Sequence, residues 1–292
     1  MPGHSKSWPR SCSSRERGPG EPASHHERHP MARILITGSS DGLGLGAARL
    51  LAHDHHDVVL HARNDRRAAD AVSALPEAAG VVVGDLTTMA GMRQVAEAAN
   101  ATGRFDAVIH NAAVGSSEPR RIVTADGLSH VFAINVLAPY VLTAQVEMPS
   151  RLIYLSSGMH RGGSPSMDDL QWSHRRWDGS QAYSDSKLFV AVLAAAVARH
   201  RPDVRSNAVD PGWVATKMGG AGAPDDLALG SVTQAWLAVG DDAGALVSGA
   251  FFYHQRPCGT HPSVHDHRFQ EDLLASCADI GGVTLPGTSQ GD

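Results

Sequence analysis

The chain has 292 residues, 19% of them charged, and its formal net charge of −5 gives no basic footprint for nucleic acid. Its three cysteines (Cys12, Cys258 and Cys277) are too widely spaced for a CxxC motif or a disulfide framework, which fits a reducing compartment. The longest apolar run, Leu188 to Ala198, is too short to span a bilayer. We therefore expect a soluble, cytoplasmic protein.

The first 30 residues are rich in Ser, Pro, Gly and His and show no apolar periodicity. Such a segment cannot bury enough surface to order itself, so residues 1–30 are predicted to be a disordered N-terminal extension. It lacks the apolar core of a secretory signal, although its Arg and Ser content leaves a transit peptide open. Met31 directly precedes the first apolar strand, which favours an over-long start and a single domain over residues 31–292.

Seven short apolar, β-branched runs follow in order: ARILITG, DVVLHAR, GVVVGDL, FDAVIHNAA, RLIYLSS, VRSNAVDPG and SGAFFYH. Continuous runs of this kind are typical of strands that are covered on both faces. Segments with helical periodicity separate them, such as GLGAARLLAHD and MRQVAEAANA. The alternation predicts an α/β fold: a Rossmann-like, doubly wound, seven-stranded parallel sheet with helices on both faces.

A glycine-rich loop, Thr37 to Gly44, follows the first predicted strand and precedes an apolar helix. Glycines allow backbone amides to approach a pyrophosphate at a helix N-terminus, where the helix dipole favours an anion. Glycine is also common in ordinary turns, so the position after the first strand is what indicates dinucleotide binding.

Tyr183 and Lys187, in the stretch YSDSK, stand four residues apart and share one face if the segment is helical. A free tyrosine has a pKa of about 10. A positive charge about 4 Å away, at an effective dielectric of about 20, would lower that pKa by about 3 at most. We therefore expect Lys187 to bring the Tyr183 phenol towards neutral pH, where general acid–base catalysis is efficient.

The pattern T-G-x-x-x-G-x-G followed by YxxxK resembles the short-chain dehydrogenase/reductase family, from about Met31 to at least Met218. GDL, HNAA, INV, YLSSG and DPGWVATKM match further family motifs in the same order, with Ala113 where the family usually has glycine. The resemblance implies a set of nucleotide-binding residues: Thr37, Gly38, Ser40, Gly42, Leu43, Gly44, Arg63, Asp85, Leu86, Asn111, Ala112, Ala113, Tyr183, Lys187, Pro211, Gly212, Val214 and Thr216.

The resemblance also implies the catalytic roles, and these make chemical sense on their own. Hydride addition to a ketone places negative charge on its oxygen, so two hydroxyl donors should face that atom. Ser157, rather than Ser156, would polarise the oxygen and Tyr183 would donate the proton. By resemblance, Lys187 also binds the nicotinamide ribose, and Asn135 positions a water that links Lys187 to solvent.

The end of the second strand bears on the choice of nicotinamide. Ala62 occupies the place where NAD-dependent relatives usually carry an acid, and Arg63 follows it. An arginine can pair with a 2′-phosphate, so NADP(H) is favoured and NAD(H) remains possible. Asp41 weakens the preference, because many NADP-dependent relatives carry a basic residue in that part of the glycine loop.

Twenty-five residues separate Ser157 from Tyr183, about twice the interval in common family members. This insertion resembles that of retinol-dehydrogenase-like and protochlorophyllide-reductase-like branches, and it fits either an amphipathic flap or a plain surface excursion. A second candidate lid is WVATKMGGAGAPDD, whose glycines would allow hinge motion. Met159, Trp213 and Met218 suggest an apolar pocket, or else simply core, and the substrate could be a lipophilic or aromatic carbonyl compound.

The predicted helix from Gln181 to Arg199 is apolar nearly all round after Lys187, so it must be buried on more than one side. In the family the matching helix packs across a two-fold axis, which implies a homodimer or homotetramer unless the sheet covers this surface. The irregular spacing of the C-terminal histidines is unlike a structural zinc site.

The leading hypothesis is thus an NADP(H)-dependent carbonyl reductase or alcohol dehydrogenase. Its rivals are an extended-type sugar-nucleotide epimerase or dehydratase, and a catalytically silent NADP(H)-sensing regulator. The extended type would need a glycine where Asp41 stands, and silent regulators commonly lack the tyrosine or lysine that this chain retains.

Overall fold

One eight-stranded sheet organises the computed structural model, which describes residues 31–287. The predicted extension, residues 1–30, lies outside the described residues. The strands are β1 (Arg33–Ile36), β2 (Asp57–Ala62), β3 (Gly80–Val83), β4 (Ala107–His110), β5 (Arg151–Leu155), β6 (Arg205–Asp210), β7 (Phe251–Tyr253) and β8 (Arg256–Pro257).

The helices alternate with these strands along the chain. They are α1 (Gly42–His53), α2 (Asp65–Ala74), α3 (Met89–Ala101), α4 (His130–Phe132), α5 (Ala138–Gln145), α6 (Gly179–His200), α7 (Val232–Val239) and α8 (His267–Gly281). A π-helical segment, Ala133–Leu137, joins α4 to α5. Among the described residues, no helix is both long and apolar enough to cross a membrane.

The strand order is β3-β2-β1-β4-β5-β6-β7-β8, and the first seven strands are all parallel. All seven predicted strands are confirmed. The prediction of seven strands in total is one too low, because β8 pairs antiparallel with β7 at the edge. It is only two residues long and includes Pro257, and so short a strand carries no hydrophobic pattern that could reveal it.

Two separate apolar cores lie on opposite faces of the sheet. The first contains residues of α3, α5, α6 and α8, and the second contains residues of α1, α2 and α7. Neighbouring strand residues alternate between them: Leu35 packs into the first core, whereas Ile34 and Ile36 pack into the second. The predicted doubly wound arrangement is therefore confirmed, and helices and apolar side chains cover both faces of the sheet.

The chain reverses its winding direction between β1 and β4, which are neighbours in the sheet but not in sequence. The segments that follow these two strands lead to helices on opposite faces of the sheet, α1 in one core and α5 in the other. In open parallel sheets, ligands bind in the crevice at this switch point.

Candidate active site

The glycine loop between β1 and α1 has a backbone that only glycine accommodates. Gly38 and Gly42 have φ angles of +62° and +56°. A Cβ atom on Gly44 would lie 2.5 Å from the Asn111 side-chain nitrogen and 2.6 Å from the Gly38 carbonyl oxygen. The loop thus lies directly against the segment that follows β4, with no space for a side chain between them.

The first turn of α1 has free backbone donors. Four other helices begin with a capping side chain: Asn64 on α2, Thr88 on α3, Asp178 on α6 and Asp266 on α8. Asp41, at the N-cap of α1, makes no such hydrogen bond. The amides and the dipole of α1 are therefore available to an anion, as a pyrophosphate-binding helix requires.

His61 on β2 holds the glycine loop in place, which the sequence analysis missed. Its Nδ1 accepts a hydrogen bond from the Gly38 amide at 2.9 Å, so Nε2 must carry the proton that it donates to the Gly84 carbonyl at 3.0 Å. Burial lowers the pKa of His61, which keeps the ring neutral and in this tautomer. A histidine within an otherwise apolar strand was the available signal.

Thr37 and Asn111 shape the floor of the crevice. The Thr37 hydroxyl accepts from the backbone amides of Asn111 and Ala112, both at 3.0 Å. The Asn111 side chain donates to the carbonyls of Thr37 and Gly38 at 2.9 and 3.0 Å. These two predicted nucleotide-binding residues therefore lock the ends of β1 and β4 together.

The two serines after β5 have different surroundings. Ser156 is buried, and its hydroxyl donates to the Lys187 carbonyl at 2.7 Å, so it is committed to α6. Ser157 is partly exposed, and its hydroxyl accepts from the Met159 amide at 3.2 Å and interacts with the Tyr183 side chain. Of the two hydroxyls, that of Ser157 is the one that meets the Tyr183 side chain.

Tyr183 lies in the second turn of α6, and its pKa is raised to about 12. Burial is the main cause; the hydrogen bond with Ser157 lowers the pKa, and the charge of Asp210 raises it. The prediction that Lys187 would lower the Tyr183 pKa is therefore wrong for this structure. The reason is that burial disfavours the charged phenolate, and this effect exceeds the hydrogen bond with Ser157, which lowers the pKa.

Lys187 lies one turn beyond Tyr183, and its Nζ atom is 5.5 Å from the centre of the tyrosine ring. Only 2% of the residue is exposed, and Nζ donates to the Leu155 carbonyl at 2.7 Å. Burial lowers the pKa of Lys187 from 10.5 to about 7, and the charge of Asp210 opposes that shift. The prediction that Tyr183 and Lys187 share one face of α6 is confirmed. The pKa of the Lys187 amine lies near neutral pH.

Asn135 lies in the π-helical segment and is buried. Its side chain donates to the Val114 carbonyl at 3.1 Å and to the Ser186 hydroxyl at 3.0 Å, and it accepts from the Val114 amide at 2.8 Å. Ser186 in turn donates to the Tyr183 carbonyl at 2.7 Å. Asn135 thus joins α6 to the loop after β4, and π-helical segments of this kind recur at functional sites.

The comparisons with known proteins agree with this geometry. A family model described as Enoyl-(Acyl carrier protein) reductase matches residues 38–244. The chain is 42% identical to the short-chain dehydrogenase chyC of Penicillium rubens, over 88% of this chain and 100% of that protein. This chain belongs to the short-chain dehydrogenase/reductase family. It is therefore an oxidoreductase.

Two solved structures share the fold. A protein from Mycobacterium Paratuberculosis matches with a TM-score of 0.76 and 24% identity, over 88% of this chain and 97% of that one. A blue fluorescent protein from a metagenomic library, in complex with NADPH, matches with a TM-score of 0.62 and 24% identity, over 76% of this chain and 95% of that one.

Asp85 and Arg63 of this short-chain dehydrogenase/reductase follow β3 and β2, and both are exposed. Asp85 accepts from the Thr87 amide at 3.0 Å, while Thr88 rather than Asp85 caps α3, so Asp85 is not committed to the helix. Leu86 beside it is buried. Arg63 borders an open depression that it shares with the following residues, Asn64, Asp65, Arg66 and Arg67.

The loop after β6 carries Pro211, Gly212, Val214 and Thr216 and closes on itself. Val214 pairs with Asp225, and the Trp213 indole donates to the Gly219 carbonyl at 2.8 Å. Trp213 and Met218 are 43% and 49% exposed, so they are not core residues. Met218 packs against Gly115 in the loop after β4, and this contact links the two loops.

The insertion between Ser157 and Tyr183 is anchored to the domain. Trp172 is 6% exposed and lies 3.6 Å beneath the Arg175 guanidinium, which pairs with the buried Asp185 of α6 at 2.9 Å. Trp177 packs edge-on against Trp172 and donates to the Glu118 carbonyl at 2.9 Å. Neighbouring segments thus hold both tryptophans, and the amphipathic flap and the plain surface excursion both stay predictions.

The apolar surface of α6 is covered within the chain itself. Leu188 to Val197 are all buried, and Phe189 contacts Phe269 of α8 with ring centres 6.1 Å apart. The apolar helix was the reason for expecting a homodimer or homotetramer, and α8 removes that reason. The oligomeric state stays a prediction that rests on the family resemblance alone.

Proposed function

We propose that the protein transfers hydride between NADP(H) and a carbonyl or alcohol substrate, with Tyr183 as the general acid and base. The observation that carries the proposal is the meeting of the Ser157 and Tyr183 side chains beside the buried Lys187, at the carboxyl edge of the sheet. The uncapped α1 helix and the glycine loop lie at the same edge.

The crevice fits a dinucleotide. The free amides of α1, with Gly38, Ser40, Gly42 and Leu43, would hold the pyrophosphate. Asp85 and Leu86 would contact the adenine, and Asn111 to Ala113 would form the wall behind the nucleotide. The nicotinamide would lie next to Pro211, Gly212, Val214 and Thr216, with its ribose near Lys187.

Bound nicotinamide supplies or accepts the hydride. In the reductive direction, Ser157 donates a hydrogen bond to the substrate oxygen and Tyr183 donates the proton that this oxygen needs. A phenol with a pKa of about 12 keeps its proton at neutral pH, so Tyr183 holds the proton that the reductive direction requires. In the oxidative direction, Tyr183 accepts the proton instead, which requires a nearby positive charge to stabilise the phenolate.

Lys187 is suited to resupply that proton. Its pKa of about 7 means that the charged and neutral amine are both populated at neutral pH. An amine in that state can accept a proton from solvent and pass it towards the tyrosine. Asn135 would position the water that completes this path, from its place between the Val114 backbone and Ser186.

NADP(H) is preferred over NAD(H) in this proposal. Arg63 is exposed, and Arg66 and Arg67 border the same depression, so the 2′-phosphate would meet several guanidinium groups. The structural neighbour in complex with NADPH supports the proposal at the level of the fold.

The substrate we propose is a lipophilic or aromatic carbonyl compound. Trp213 and Met218 present exposed apolar surface on the loop that follows β6, near the nicotinamide side of the crevice. The contact between Met218 and Gly115 would close this surface over the substrate.

A fluorescence titration with NADPH and NADH, on the wild type and Arg63→Ala, tests the cofactor assignment. We expect tight NADPH binding, weaker NADH binding, and loss of the preference in the variant.

Tyr183→Phe should then abolish turnover of any carbonyl substrate found in a screen while nucleotide affinity stays within about a few-fold, since the phenol oxygen acts in the transition state. Full activity of Tyr183→Phe would refute its role, and binding with no turnover of any carbonyl would favour the silent regulator.

A further inference from the structure

Three charged residues join three segments around the crevice, and we call this group the Asp41 clasp. Asp41 belongs to the glycine loop, Arg67 to the first turn of α2, and Lys217 to the loop after β6. A single carboxylate oxygen, Asp41 Oδ2, accepts from Arg67 Nη2 at 2.7 Å and from Lys217 Nζ at 2.6 Å. The clasp therefore bridges the adenosine side and the nicotinamide side of the crevice.

Arg67 is placed to recognise a phosphate at the adenosine end. Its side chain is 20% exposed, borders the same depression as Arg63, and donates from Nη2 to the Ser40 hydroxyl at 3.0 Å. Carboxylates and phosphates make the same charge-assisted hydrogen bonds to a guanidinium. The Asp41 carboxylate thus occupies a donor that a 2′-phosphate would use.

Asp41 is an anion at neutral pH. Partial burial acts to raise its pKa, but the hydrogen bonds and charges of Lys217 and Arg67 outweigh burial and hold the pKa below its ordinary value. The side chain does not cap α1 through a hydrogen bond, so its oxygens remain available to Arg67 and Lys217.

We propose that Asp41 determines cofactor specificity by competing with the 2′-phosphate of NADP(H) for Arg67, and that Lys217 weakens this competition by holding Asp41. The inference rests on the proposed dinucleotide function. When a 2′-phosphate binds Arg67, Asp41 retains Lys217 as its partner, and the loop after β6 stays attached to the glycine loop. Recognition at the adenosine end is in this way linked to the loop on the substrate side.

Calorimetric titration of the full-length protein with adenosine 2′,5′-bisphosphate and adenosine 5′-monophosphate tests the proposal. The two probes share the adenosine and differ by the 2′-phosphate. Asp41→Asn should bind the bisphosphate about two- to five-fold more tightly, the range that an exposed ion pair supports, and should leave monophosphate affinity unchanged. Lys217→Met should weaken bisphosphate binding by a similar factor, because Asp41 then pairs with Arg67 alone.

Asp70→Asn is the matched control. Asp70 accepts from Arg67 Nη1 at 3.1 Å, so the variant removes the same charge from the same guanidinium but leaves Nη2 paired. If Asp70→Asn and Asp41→Asn increase the affinity for the bisphosphate equally, the effect comes from net charge and the proposal is overturned. In the Asp41→Asn background, Lys217→Met should have no effect; a persisting effect would overturn the role of Lys217.

The result also separates this inference from the proposed function. If the wild type binds neither NADPH nor NADH, the proposed function fails. If it binds them and Asp41→Asn leaves the ratio of bisphosphate to monophosphate affinity unchanged, only the clasp is refuted.

Discussion

Lys187→Met should stabilise the protein in a pH-dependent way. The wild-type amine is buried, and burial lowers its pKa from 10.5 to about 7. Methionine has a similar length and carries no charge, so it removes the cost of keeping an ammonium group in the interior. The same substitution would remove activity if Lys187 resupplies the proton, but the stability effect does not depend on that role.

The sign and size of the effect follow from proton linkage. Between pH 7 and 10.5 the unfolded chain retains the Lys187 proton and the folded chain has released it, so wild-type stability rises with pH by up to about 1.4 kcal/mol per pH unit. Below pH 7 both the folded and the unfolded chain hold the Lys187 proton, so the folded chain bears the whole free-energy cost of burying the ammonium group. The stability advantage of Lys187→Met is therefore largest at pH 7 and below, and falls by about 2–3 kcal/mol between pH 7.5 and 9.5.

Urea unfolding followed by far-ultraviolet circular dichroism, at several pH values from 6 to 10, measures this difference without bound nucleotide. Subtracting the wild-type free energy of unfolding from that of the variant at each pH cancels the contributions of all other titrating groups. Lys217→Met is the matched control, because Lys217 is 82% exposed on its side chain and its removal takes no amine out of the interior. A difference between Lys187→Met and the wild type that stays constant with pH would refute the reasoning.

Two further substitutions test the crevice and the insertion. Gly44→Ala should reduce nucleotide affinity at least about ten-fold in the fluorescence titration, because the new Cβ would lie 2.5 Å from Asn111 Nδ2 and force the loop to shift; unchanged affinity would show that the loop adapts. Trp172→Ala should lower the free energy of unfolding by about 3–5 kcal/mol in urea and expose residues 158–178 to proteolysis, since the buried ring holds Arg175 beside Asp185. A stability loss below about 1 kcal/mol would show that the Trp172 ring does not anchor the insertion.

Local sequence patterns determined most of the fold. The seven parallel strands are apolar runs whose identity depends only on the residues within each run, and each was correctly predicted. The glycine loop and the shared face of Tyr183 and Lys187 also follow from short-range backbone geometry, so their spacing alone predicts them. The family resemblance distinguished Ser157 from Ser156, and the structure gives the two hydroxyls different partners; the catalytic role of Ser157 stays a prediction.

Only the tertiary structure decided how the charges behave. The pKa of Lys187 and that of Tyr183 depend on burial, which no spacing rule states, and burial reversed the expected direction for the tyrosine. In the sequence, Asp41 only departs from the basic residue that many NADP-dependent relatives carry there. The structure brings Arg67 and Lys217, 26 and 176 residues away in sequence, into contact with it. The packing of α8 against the apolar face of α6 was likewise not evident from the sequence. Contacts between distant segments depend on how all the elements pack, and packing is a property of the whole chain.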